Sequence, residues 1–371
     1  MDIHEYEIGL HKNDLDTPAL LVDMDAVERN IHKMANFCAN AGIHLRPHAK
    51  IYKGTPVFAW MQLRAGAYGI TVSKLSEAET LAIAGIKDIL IANQVVGHRK
   101  IHRLVNLAAW TDVKVAVDSM ENLKMLSSAA LAKGVTLGVV VEVNIGNNRC
   151  GVEPYQSTLE FVKEIQSLPG IKFFGIMGYD GHLAFHENLA ERKQQSMEAY
   201  RILIGTHDLL EKAGIPVEIV SGGGSATYQG ACEIKGLTEL QAGTYLFNDT
   251  TYRDHGLSEF ECALTILATV ISRPGWNGAE DVAIIDVGRK GIELTYGLPE
   301  VKYPKGEIYS MPQEHARLKL AAGSPQLKIG DQVELWVRDA NGTVNLYDKI
   351  YAMRGDIVEA VWDLLGRGKV T

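Results

Sequence analysis

Cysteine is scarce: the 371 residues hold four, Cys38, Cys150, Cys232 and Cys262, with no CxxC spacing. A zinc cluster and a disulfide framework are therefore unsupported, and a reducing cytoplasm is the expected compartment. No apolar run approaches the roughly 18 residues that a membrane span needs, so no membrane role is expected. The first residues, MDIHEYEIGLHKND, are too polar for a secretory signal. Basic runs are missing, as are basic patches interleaved with aromatics. With a formal net charge of −8, nucleic acid is not an expected partner. No GxGxxG follows the first apolar run, which weighs against a dinucleotide-binding sheet.

What is present is an ordinary globular balance, 46% hydrophobic and 22% charged, with length enough for a large core and more than one domain. From about residue 18 to 250 one unit recurs: a short apolar run, a turn, then a segment of helical period. The runs include ALLVDM (19–24), AYGIT (67–71), DILIAN (88–93), VKVAVDS (113–119), LGVVVEVN (137–144), FFGIMGY (173–179) and VEIVSGG (217–223). Apolar on both faces, they read as buried parallel strands. Between them Val27, Ile31, Met34 and Cys38 show helical spacing. The alternation predicts an α/β fold, a (β/α)8 TIM-type barrel over 18–257. From about residue 258, CALTILATVISRP, DVAIIDVG, HARLKL, DQVELWVR and TVNLYDKIYAMRGDIVEAVW read as strands without helices between them. They predict a β-strand-rich antiparallel domain of residues 258–371, to which residues 1–17 are added.

Functional residues of such barrels gather where strands end at their C-terminal side. HLRPHAK ends in Lys50, VVVEVNIGNNRCG places Arg149 past its strand, GIMGYDGH delivers Tyr179, and VEIVSGGGSAT ends in a glycine-rich turn from Ser221 to Thr227. Successive glycines let backbone N–H groups approach an anion, and Ser225 and Thr227 add hydroxyl donors. Glycine clusters are often plain turns, but one after the last strands of a barrel favours phosphate. Lys50 by itself reads as a rim lysine with its charge in water. On the same face as a phosphate turn it reads as a Schiff-base lysine for a phosphorylated aldehyde cofactor.

These stretches carry a resemblance to fold-type III pyridoxal-phosphate enzymes, those with the alanine-racemase barrel, and more narrowly to the D-threonine aldolase / D-serine dehydratase branch. DTPALLVDMDAVERNI, LRPHAKIYK, SKLSEAE, AGIKDILIANQVVG, VEVNIGNNRCGV, GYDGH, SGGGSAT and TELQAGTYLFND match in order along nearly the whole barrel. The resemblance implies that Lys50 carries pyridoxal 5'-phosphate as the internal aldimine, with Lys53 as its rival. It places Arg149 and Tyr179 at the cofactor ring, and Gly223, Gly224, Ser225 and Tyr245 at the phosphate. It also implies a homodimer acting on a small amino-acid substrate.

One segment departs from the family pattern. Members of the family carry a metal-binding His-x-Cys or His-x-Asp in the C-terminal domain; here Asp339 and Asn341 stand at those positions. Oxygen donors suit Mg²⁺, Mn²⁺ or Ca²⁺ rather than zinc. Asp-Ala-Asn-Gly is equally good turn chemistry between two strands. The expected reaction is retro-aldol cleavage of a D-configured β-hydroxy amino acid, with Lys50, Tyr179 and His182 catalytic. The alternatives are a dehydratase of D-serine or 3-hydroxyaspartate type and an amino-acid racemase. A racemase needs a second acid/base, for which Tyr252, Tyr296, Tyr347, His186, His255 and His315 are available.

Overall fold

The computed structural model describes residues 5–371. The chain divides into two compact units: Met1–Ile31 with Ile51–Lys53 and Thr244–Gly368, and His32–Lys50 with Gly54–Gly243 and Lys369–Thr371. The first apolar run forms a strand, β1 (Ala19–Asp23), but not a barrel strand. Its first four residues are buried, as a barrel strand's would be, and its partners lie in the other sheet. That corrects the expected start of the barrel at residue 18.

In the second unit eight parallel strands follow: β2 (His44–Leu45), β3 (Ile70–Val72), β4 (Asp88–Gln94), β5 (Asp112–Val117), β6 (Leu137–Glu142), β7 (Ile171–Gly178), β8 (Ile219–Gly222) and β9 (Glu239–Leu240). Their order is β2-β9-β8-β7-β6-β5-β4-β3. The ring closes between its ends, where Tyr68 N–H donates to the Leu45 carbonyl (2.8 Å), Thr71 N–H donates to that of Pro47 (2.9 Å), and His48 bridges Thr71. Helices such as Met120–Lys133 start and stop on chemical signals. Ser119 accepts the Asn122 N–H at its start, and Gly134 ends it in the left-handed conformation at φ 72°.

The barrel interior is layered. Leu90, Ala116, Val140, Met177 and Ile219 fill the middle with Phe174 beside them. At the strand starts lies a charged layer. Arg46 pairs with Glu239 and Asp88, both at 2.7 Å, while Lys114 reaches Asp88 (3.2 Å) and Asp112 (2.9 Å). A Cβ on Gly69 would meet the Arg46 guanidinium at 2.2 Å, so the ion layer requires glycine there. Arg46 thus explains the polar character of HLRPH: its charge faces the barrel's own carboxylates.

The other unit holds β10 (Leu264–Ser272), β11 (Val282–Ile285), β12 (Glu300–Tyr303), β13 (Gly306–Ser310), β14 (Ala316–Leu320), β15 (Gln332–Trp336), β16 (Lys349–Arg354) and β17 (Ile357–Asp363). With β1 they make one sheet, ordered β11-β14-β13-β12-β15-β10-β1-β16-β17, and β11 also pairs with β10. The six strands from β11 to β10 therefore close on themselves. β14, ARLKL, alternates buried and exposed residues as a half-buried strand should. Leu15, Leu21, Leu267, Tyr351, Met353 and Val361 form a core on the β1–β16–β17 side. Among the described residues no helix is long and apolar enough to cross a membrane.

Candidate active site

Lys50 stands just past β2 in the short turn Ala49–Tyr52, half-buried, its N–H directed at His48 Nδ1 (3.4 Å). Its Nζ lies 6.0 Å from the centre of the Tyr179 ring, and Arg149 Cζ lies 5.4 Å from the same centre. Both distances suit cations over an aromatic face. Tyr179 directly follows β7. Arg149 belongs to a loop shaped by Asn144, whose Oδ1 accepts the N–H groups of Gly146 and Asn148, both at 3.2 Å. The arginine also reaches Glu142 Oε1 (3.5 Å), a buried carboxylate at the end of β6 whose other oxygen accepts from Gln94 Nε2 at 2.7 Å. His182 is exposed, and its imidazole would lie 3.4 Å from a Cβ on Gly146. Lys50, Arg149, Tyr179 and His182 therefore gather at the C-terminal mouth of the barrel.

The glycine turn joins them. Gly223 holds φ at +78° and donates its N–H to Tyr200 Oη. A side chain at residue 223 would strike Leu240 at 2.5 Å. A Cβ on Gly224 would sit 3.3 Å from the Tyr179 ring and 4.0 Å from Thr227 Oγ1, so its absence keeps that space open. Ser225 and Thr227 are buried within the turn.

Behind the turn lies a side chain to which the sequence gives no role, Asp180. It is fully buried and accepts hydrogen bonds from Ser196 Oγ (2.7 Å), Thr227 Oγ1 (3.0 Å) and Tyr200 Oη (3.4 Å). Burial pushes its pKa up, against the lowering effect of the Ser196 and Thr227 hydrogen bonds. Glu142 and Gln94 were missed likewise. The available signal was a polar residue at a strand end, as in GYDGH, followed by Ser196 and Tyr200 one helical turn apart.

Tyr245, Lys53, Asp339 and Asn341 fall in the other unit, whereas His186 belongs to the barrel unit. Tyr245 is completely buried, its ring 5.6 Å from that of Phe260. Lys53 adopts φ 51°, and a Cβ on Gly366 would run into its carbonyl. The Asp339 segment is a short helix, Ala340–Val344, rather than the expected turn between strands. Asp339 is its N-cap, with Oδ1 accepting the Gly342 N–H at 3.0 Å. Asn341 Oδ1 is buried without a hydrogen-bond partner. Asp249 accepts the N–H of Tyr252 (2.9 Å) and of Ala340 (3.0 Å), and burial pushes its pKa up to about 7. Among the described residues no three His, Cys, Asp or Glu side chains converge as metal ligands do.

The alanine racemase N-terminal domain family matches residues 22–251, and a serine dehydratase domain matches residues 263–353. The chain belongs to the fold-type III pyridoxal-phosphate enzymes, in their D-threonine aldolase / D-serine dehydratase branch. Within that branch it is 35% identical over 360 residues to the D-threonine aldolase of an Arthrobacter species, covering 95% of this chain and 93% of that one. It is 34% identical over 376 residues to a 3-hydroxy-D-aspartate aldolase of Paracoccus denitrificans, covering 97% and 94%. A D-threo-3-hydroxyaspartate dehydratase of a Delftia species is 32% identical over 345 residues, covering 87% and 89%. The crystal structure of D-threonine aldolase from Filomicrobium marinum superposes with a TM-score of 0.91 at 33% identity, covering 98% of this chain and 99% of the other. The fold is that of the branch, an eight-stranded parallel barrel with an antiparallel C-terminal domain.

Proposed function

We propose that this fold-type III enzyme is a lyase that splits the Cα–Cβ bond of D-configured β-hydroxy amino acids by retro-aldol cleavage, with pyridoxal phosphate carried on Lys50. The observation that carries the reading is the convergence of Lys50 and Arg149 on the Tyr179 ring beside the glycine turn. The match to two curated aldolases along nearly the whole chain supports the choice of reaction. The residues fit the cofactor. A lysine stands beside an aromatic face, and a glycine leaves open the space that a Cβ would fill. Gly224 and Ser225 would hold the phosphate, Arg149 and Tyr179 would flank the ring, and Lys50 would bear the aldehyde carbon. Bound there, the cofactor supplies an electron sink that weakens the bonds at the substrate's Cα. His182 takes the proton of the substrate's β-hydroxyl as the Cα–Cβ bond breaks and the aldehyde leaves. Lys50 Nζ would supply a proton to Cα and His182 would release its own to water, so that D-threonine yields glycine and acetaldehyde with no net change in protons.

A divalent cation on Asp339 and Asn341 completes the proposal. Asn341 Oδ1 is a buried acceptor in need of a partner, and the N-cap bond occupies only Oδ1 of Asp339. Such oxygen donors suit hydrated Mg²⁺, Mn²⁺ or Ca²⁺, cations that would supply Lewis acidity where they bind. We also take the protein to be a homodimer, a state that the mass in solution tests directly.

Dehydration is the second reading, favoured by the Delftia relative and by the serine dehydratase domain match over residues 263–353. Incubating the protein with D-threonine and with L-threonine separates these ideas from a bystander role. Glycine formed from the D isomer and not from the L isomer supports the aldolase. Ammonia and a keto acid transfer the assignment to a dehydratase.

A further inference from the structure

If the Gly223–Thr227 turn receives a phosphate, a buried carboxyl directly behind it needs a reason. Asp180 is fully buried and its partners are neutral hydroxyls. Two of these grip the turn at its two ends. Tyr200 Oη accepts the Gly223 N–H and its single O–H lies between Gly178 O (3.2 Å) and Asp180 Oδ1 (3.4 Å), while Thr227 Oγ1 donates to Asp180 Oδ1 (3.0 Å). Between these fixed points lie Gly224, Ser225 and Ala226.

The packing leaves the turn little freedom to find this shape otherwise. A Cβ on Gly222 would lie 2.3 Å from the Gly178 carbonyl and 2.8 Å from the Tyr200 ring, so the backbone rests directly on Tyr200. Ser196, one helical turn before Tyr200, fixes the other oxygen of Asp180 and ties the helix Leu189–Lys212 to the same point. Because the Tyr200 hydroxyl takes the Gly223 N–H, Gly223 serves the turn by its conformation rather than as a donor to a ligand.

We propose that Asp180 is the positioning residue of the phosphate turn: through Tyr200 and Thr227 it presets the Gly223–Thr227 backbone to receive the phosphate of pyridoxal phosphate, without touching it. This inference rests on the reading of the turn as the phosphate site, and its test separates the two. Full-length apoprotein of wild type, Asp180→Ala and Tyr200→Phe is titrated with pyridoxal phosphate and with pyridoxal, the same aldehyde without phosphate. Binding is followed by the absorbance of the ligand, and circular dichroism verifies the fold.

The expected result is that wild type prefers the phosphorylated aldehyde and that both variants lose this preference by roughly ten-fold or more, as slackened donors would dictate. Binding of pyridoxal should move little. An unchanged preference in both variants overturns the role of Asp180, and so does equal weakening of the two ligands, which would mark a merely structural residue. No preference in wild type overturns the phosphate turn itself and the inference with it. Tyr200→Phe removes a single oxygen and carries the test if Asp180→Ala does not fold.

Discussion

Lys50 Nζ lies 6.0 Å from the centre of the Tyr179 ring, close enough for the two side chains to share one bound molecule. Lys50→Ala should abolish both the visible absorbance of bound cofactor and turnover, while Lys53→Ala should keep that absorbance. Borohydride reduction followed by peptide mass mapping checks the point, since the reduced adduct should sit on the peptide containing Lys50. An adduct on Lys53 would reverse the assignment.

Asp339 spends one oxygen on its helix cap, so its substitution has two separable effects. Asp339→Ala should cost about 1 kcal/mol of stability through the lost N-cap, measured by urea unfolding. It should also abolish stimulation of product formation by Mg²⁺ or Mn²⁺. Wild-type turnover that is indifferent to chelator would remove the cation from the scheme and leave the cap as the residue's role.

Arg46 neutralises two carboxylates while itself fully buried. Replacing it by methionine removes the arginine from Glu239 and leaves Asp88 paired with Lys114 alone. Unfolding should show a loss of about 3–5 kcal/mol, the range for breaking a buried ion pair from one side. A loss below about 1 kcal/mol would show that the pair is no stronger than a surface salt bridge.

The same layer sets an acid sensitivity. Burial alone would push the Asp88 carboxyl up, but the hydrogen bonds and charge of Arg46, with the charge of Lys114, outweigh it and hold the pKa below its ordinary value. A carboxyl depressed in the folded state binds its proton less readily than in the unfolded chain. Its contribution is therefore complete above the unfolded value, about 4, and fades as pH falls below it. Asp88→Asn should lower the melting temperature at pH 7 and then lose less than wild type between about pH 5 and 3. Parallel losses would show that Asp88 is not linked.

The barrel was legible where strands are long and apolar. DILIAN, VKVAVDS and LGVVVEVN each contain or overlap an observed strand, β4, β5 and β6, because burial on both faces leaves an uninterrupted apolar run. Ala19–Asp23 was misplaced by the same logic: a buried run carries no record of which sheet it joins. Two barrel strands, His44–Leu45 and Glu239–Leu240, are two residues long, and Arg46 and Glu239 give their surroundings a polar look. β12 and β13 were missed because short edge-like stretches such as EVKY are largely exposed. At the site, Lys50, Arg149, Tyr179 and the glycines announce themselves at strand ends. Asp180 and Tyr200 do not, because a network between residues 20 apart in sequence has no local pattern.

Cleavage and dehydration part most sharply on D-threo-3-hydroxyaspartate, since either reaction can consume it. The direct test is the product composition when purified protein exhausts this substrate, with glycine, glyoxylate, ammonia and oxaloacetate measured in one sample. Retro-aldol cleavage should give glycine and glyoxylate in equal amounts, with ammonia at background. Ammonia and oxaloacetate in their place would contradict it and make this protein a dehydratase.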